Sequence, residues 1–89
     1  MRPGDTFVHN NGAIHTVLDV RGPDTLVSYD TERGRYYAVV WKLERLENGR
    51  YVWNQGYYFR EDFAKAQRAF FKRSRERTRE NSRPFTQSR

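Results

Sequence analysis

Along roughly the first 55 residues, short runs of alternating apolar and polar positions are cut by turn signals. "DTFVH" (5–9) and "AIHTVLDV" (13–20) flank Asn10-Asn11-Gly12. Three loop residues ending in Gly suit a type I turn followed by a left-handed residue. "RGPD" breaks the chain before "TLVSYD" (25–30), "TERG" before "RYYAVVWKL" (35–43), and "ENG" before "RYVWN" (50–54). Within these runs Ile14, Leu18, Val20, Leu26, Tyr37, Val39, Trp41, Leu43, Tyr51 and Trp53 keep a period of two. That period, carried by β-branched and aromatic residues, predicts half-buried antiparallel strands, with Tyr37 and Tyr51 inward and Tyr36 outward. Five such strands in about 50 residues are too few for a sandwich of two sheets and point to one bent sheet closing into a small barrel.

Beyond "QGYYF" the period changes. "EDFAKAQRAFFKRSRER" holds no Gly or Pro, and Glu61 and Asp62 stand where a helix N-terminus favours negative charge. Set at 100° intervals, Phe59, Phe63, Ala66 and Phe70 fall within about 60° of one another, and on the opposite side Lys65, Arg68, Lys72, Arg75 and Arg79 fall within about 80°. Glu76 and Glu80 stay off that basic stripe, placed to pair with Arg73 and Arg77. The expected chain is therefore α+β, mainly β: a five-stranded antiparallel barrel-like meander (1–58), one amphipathic basic helix packed on it (59–80), and a flexible tail (81–89) beginning just before Pro84.

Charge sharpens this picture. The chain of 89 residues has a net charge of +6, yet residues 1–71 hold ten Lys and Arg against nine Asp and Glu, while residues 72–89 hold seven against two. Such asymmetry implies an acidic partner: nucleic acid, an anionic membrane or an acidic protein face. No apolar run approaches the roughly 18 residues that cross a bilayer, and the apolar side of the helix is narrow and needed by the barrel, which disfavours a membrane partner. The absence of cysteine removes disulfides and thiolate metal sites and suits a reducing cytoplasm.

Chemistry-bearing motifs are few. With the three-residue loop, His9 pairs Ala13 and Phe7 pairs His15, so both imidazoles share one face, but no third ligand stands nearby and no metal is expected. There is no nucleophile elbow, phosphate-cradling glycine loop or HExxH, so the residues imply no enzyme, no cofactor and no small-molecule substrate. What stands out is the basic stripe. From Lys65 to Arg79 the helix rises fourteen steps, about 21 Å, which matches some six phosphates along one strand. "RYY", "RYVW" and "GYYFR" set Arg beside Tyr, a combination used both for base stacking and for protein hot spots. The ordinary alternatives are a solvated helix face and tyrosines that pack the core. The candidate binding set is Lys65, Arg68, Lys72, Arg75, Arg79, Tyr36, Tyr57 and Tyr58, facing nucleic acid or an acidic protein surface.

"RPGDTFVHNNGAIHTVLDV", followed by "TLVSYD", resembles the opening hairpin of small Src-homology-type and KOW-like barrels over about residues 3–43, with Gly-Asp leading the first strand and a Gly turn leading a Val-rich second strand. KOW-like barrels commonly bind RNA or ribonucleoprotein surfaces, so the resemblance implies a binding module. The basic helix is not part of that pattern. In size and composition the whole chain is similar to phage and mobile-element accessory proteins such as anti-CRISPR proteins. That likeness implies the alternative function: a phage-encoded inhibitor, acting in the host cytoplasm, that docks on a host protein or nucleoprotein complex.

Overall fold

The computed structural model describes residues 1–82, with 77–82 as helical backbone. Among these residues seven strands precede one helix: β1 (Thr6–Val8), β2 (Ile14–Arg21), β3 (Asp24–Thr31), β4 (Gly34–Trp41), β5 (Glu44–Arg45), β6 (Tyr51–Val52), β7 (Gln55–Tyr58) and α1 (Phe63–Ser82). The fold is α+β and mainly β: an antiparallel five-stranded sheet in the order β1-β2-β3-β4-β7, a two-stranded β5-β6 ribbon, and the C-terminal helix.

The first hairpin closes as the sequence dictates. Gly12 takes φ 94°, Asn11 Oδ1 accepts the Ala13 amide at 2.8 Å, and the His9 amide donates to Ala13 O at 2.9 Å. This sets Phe7 opposite His15 and brings the His9 and His15 rings to 5.6 Å on one face. The two later hairpins turn on two residues each, as the pairs Arg21–Asp24 and Thr31–Gly34 show.

Three expectations change. The run at 50–54 is not the fifth strand of the sheet: it supplies the short β6, and the sheet's fifth strand is β7, which pairs β4 from Ala38–Tyr58 to Trp41–Gln55. Nor does the barrel close through a continuous ladder. The ribbon instead folds back onto the end of β1 through one bridge, His9 to Tyr51, supported by the Asn10 amide on Tyr51 O at 2.9 Å. Finally, the central strands are buried on both faces. Ala38, Val39, Val40 and Trp41 are all in the core, because α1 covers one face and the ribbon side covers the other.

Alternation then divides the core. Phe7, Val17, Val27, Ala38 and Val40 pack on the ribbon side, with Tyr51 and Trp53 against them. Leu26, Val39 and Trp41 face Ala66 and Phe70 of α1. A bulge in β2 between Val17 and Asp19 lets Leu18 reach the helix side and returns Val20 to the ribbon side. Ile14, expected to be half-buried, is 65% exposed at the start of β2.

The helix begins at Phe63, four residues later than the pattern predicts. Phe59 and Arg60 still belong to the sheet, exchanging backbone hydrogen bonds with Tyr37, and Arg60 turns the chain with φ 52°. Asp62 caps the first turn, its Oδ1 accepting the Lys65 amide at 2.9 Å. At the other end the helix includes Asn81 and Ser82, which the pattern assigned to the tail; Pro84 and the rest of that tail lie outside the described residues. Of the four apolar residues expected to pack the helix, Ala66 and Phe70 are fully buried and Phe59 partly, whereas Phe63 is 40% exposed against Tyr37. Among the described residues no helix is long and apolar enough to cross a membrane.

Candidate nucleic-acid interface

Two anchors set the rotation of α1. Phe70 and Ala66 enter the core between Leu26, Val39 and Trp41. One turn on, Arg73 lays its guanidinium 3.6 Å from the centroid of the Trp41 ring and donates from Nε to Asp24 Oδ1 at 2.8 Å. Asp24 is fully buried, and the Arg73 side chain is about one third exposed. The pairing of Arg73 with Glu76 expected from helix spacing is thus replaced by an ion pair to a residue 49 positions away. Stacking and ion pairing together make Arg73 part of the helix–sheet junction rather than part of the surface. Arg21 adds a second cation–π contact, 4.6 Å from the Phe71 ring.

With Arg73 turned inward, the outer side of the helix is left to Lys65, Arg68, Lys72 and Arg75, all exposed. A shallow depression lined by Phe59, Phe71 and all four of these residues runs along the helix. Lys72 also borders a second depression, shared with Tyr57 on β7. Arg79 continues the spacing, but its side chain lies outside the described residues, as does the expected Arg77–Glu80 pair.

The tyrosines do not travel together. Tyr57 sits opposite Val39 and so on the helix side; its ring lies 5.1 Å from Trp41 and it is 52% exposed. Tyr58 sits opposite Ala38 and points to the ribbon side, where its hydroxyl accepts the Trp53 indole N–H at 2.8 Å. Tyr36, expected to face outward, is half-buried on that same side, its ring 6.0 Å from Tyr29. The sheet therefore points Tyr57 to the helix side and Tyr36 and Tyr58 to the ribbon side, while Tyr58 still lines the edge of the depression that holds Tyr57 and Lys72.

Compared with protein-family models, with curated proteins and with solved structures, the chain matches none. Its chemistry is read from its own geometry. Among the described residues no group of three or more His, Asp or Glu is placed to hold a metal ion. Sequence spacing missed Asp24 and Arg73, because "GPD" reads as a turn and nothing local marks a partner so far along the chain. It also missed the gathering of His9, His15, Tyr29 and Trp53 on the ribbon side, for which the shared face of the two imidazoles was the available signal.

Proposed function

We propose that the protein is a non-enzymatic binding module whose basic helix face holds the phosphate backbone of a nucleic acid, with Tyr57 beside it to stack on a base. One observation carries this reading: the cations of α1 are sorted by role. Arg73, which faces the sheet, is neutralised by Asp24, while Lys65, Arg68, Lys72 and Arg75 stand exposed together along the outer side. Phosphate contacts of this kind position a duplex or strand without reading its sequence.

Binding to a short labelled DNA or RNA, measured at several salt concentrations, tests the proposal. Four phosphate contacts give a log–log slope of roughly −3 to −4. Reversing Arg68, Lys72 and Arg75 together is expected to abolish binding while leaving the melting temperature unchanged, since the three are exposed. Salt-independent affinity, or no binding at low salt, overturns the reading. A stoichiometric protein captured from nuclease-treated extract, and lost on the same charge reversal, would instead assign the stripe to an acidic protein surface.

A further inference from the structure

The ribbon side of the sheet ends in an open cleft of about 500 Å³ that none of the described side chains of the basic helix lines, walled by His9, His15, Tyr29, Asp30, Trp53 and Tyr58. The rings hold one another in place. The His15 imidazole stacks between Phe7 and Tyr29, at 5.3 Å and 4.7 Å, and the His9 ring lies 4.3 Å from Trp53. The hydrogen bond from the Trp53 indole fixes the Tyr58 phenol across the opening. Gly56 makes room for this, since a Cβ there would stand 3.1 Å from Val40 Cγ1 and 3.3 Å from the Tyr58 hydroxyl.

Charge decides what such a cleft accepts. The chain carries 17 Lys and Arg, yet none of those among the described residues lines this cleft. Burial lowers the pKa of His15 and raises that of Tyr29, so both are neutral at neutral pH. The His15 Nδ1 lies 3.2 Å from Ala13 O; the proton therefore sits on Nδ1, and Nε2 is left as an acceptor. Among the described residues that line the cleft, with histidine neutral, the one formal charge is the Asp30 carboxylate, whose Oδ1 also accepts from Arg35 Nε at 3.0 Å in an exposed ion pair. A phosphate-bearing ligand would meet this carboxylate and no lining cation. A positive group meets aromatic rings, phenol oxygens and a carboxylate.

We infer that this cleft binds an organic cation of the alkylammonium type, seated against the faces of Trp53, Tyr58 and Tyr29 with the Asp30 carboxylate at its edge. The attraction is that of a cation for the ring quadrupole, strengthened where water is displaced. The site lies across the sheet from the helix stripe and does not depend on nucleic-acid binding.

The full chain is titrated with tetramethylammonium chloride, with sodium chloride at equal ionic strength as reference, while amide and indole N–H shifts are followed by NMR. Saturable shifts confined to His9, His15, Tyr29, Trp53 and Tyr58 are expected. They should persist when Lys72 and Arg75 are reversed in charge. Tyr58→Ala should weaken binding about five- to thirtyfold, the loss of one ring, and Asp30→Asn should weaken it by a smaller factor. Both side chains are exposed, so the variants are expected to fold; should Tyr58→Ala not do so, Asp30→Asn alone decides. A short peptide with one Lys separates the sources: tighter binding than tetramethylammonium assigns the cation to a protein side chain, weaker binding to a free small molecule. Linear shifts identical to those in sodium chloride overturn the proposal. Saturation by adenosine monophosphate but not by tetramethylammonium does so too, and assigns the cleft to a nucleobase.

Discussion

On the helix side of the sheet, Leu26, Val39 and Trp41 are sealed by Phe70 and Ala66, and the buried carboxylate of Asp24 is met by Arg73. On the ribbon side, Phe7, Val17, Val27 and Val40 are equally well covered at their centre, but the layer opens at one end into the rings of Trp53, Tyr29 and Tyr58. The same five strands thus carry one face completed by a distant element and one finished only by its own short ribbon. A long helix supplies both a hydrophobic lid and an outer surface, on which Lys65, Arg68, Lys72 and Arg75 stand exposed. A two-residue strand pair cannot cover the end of the sheet, and exposed aromatic rings are the result.

The largest expected effect breaks the sealed face at its centre. Phe70→Ala should cost about 3–5 kcal/mol, because the ring is fully buried and leaves a cavity. Phe63→Ala, on the same side but 40% exposed, should cost only about 1 kcal/mol. Urea denaturation of the two variants measures the gap, and equal losses would refute the anchoring of α1 through Phe70. Next comes Arg73→Met. It removes the guanidinium that faces Asp24 and should cost about 3 kcal/mol, at the low end for a broken buried pair because Arg73 is partly exposed. The double variant Arg73→Met with Asp24→Asn should recover part of that loss; without recovery, the pair is not what couples helix to sheet.

Smaller effects sharpen the contrast at the margins. Asp62→Ala removes the helix cap and should cost about 1 kcal/mol, whereas Asp62→Asn, which can still accept the Lys65 amide, should cost less. Thermal melting of both variants distinguishes a cap from a charge effect. On the ribbon side the expected effect is a pH slope. Burial holds His15 below its ordinary 6.5, so below that pH the unfolded chain takes up the proton before the folded one does. Stability should be highest above pH 6.5 and fall as the pH drops through 6.5 towards the folded value. Urea midpoints across this range should slope for the native chain and lose that component in His15→Phe.

Much of the fold was legible because its local signals agree. The Asn-Asn-Gly loop set the first register and with it the shared face of His9 and His15, and the change of period after Phe59 marked the helix. Period two misled where both faces are covered. "AVVW" reads as an alternating strand with one wet side, yet all four residues are buried, since whether a second layer lies on a strand is not a local property. The same limit applies to the site. Lys65, Arg68, Lys72 and Arg75 follow from helix spacing once the buried side is known, whereas Tyr57 and Tyr58 could be assigned to faces only from the pairing of β7 with β4.

The sequence by itself determined the first four strands, the first hairpin register and a helix with apolar and basic sides, because turn chemistry and side-chain period act over a few residues. Tertiary structure alone decided which strand completes the sheet and that Arg73 turns from Glu76 to Asp24. It also decided that the tyrosines divide between two surfaces. Each of those outcomes depends on strand partners or on a contact dozens of residues away, and no local pattern encodes such a meeting.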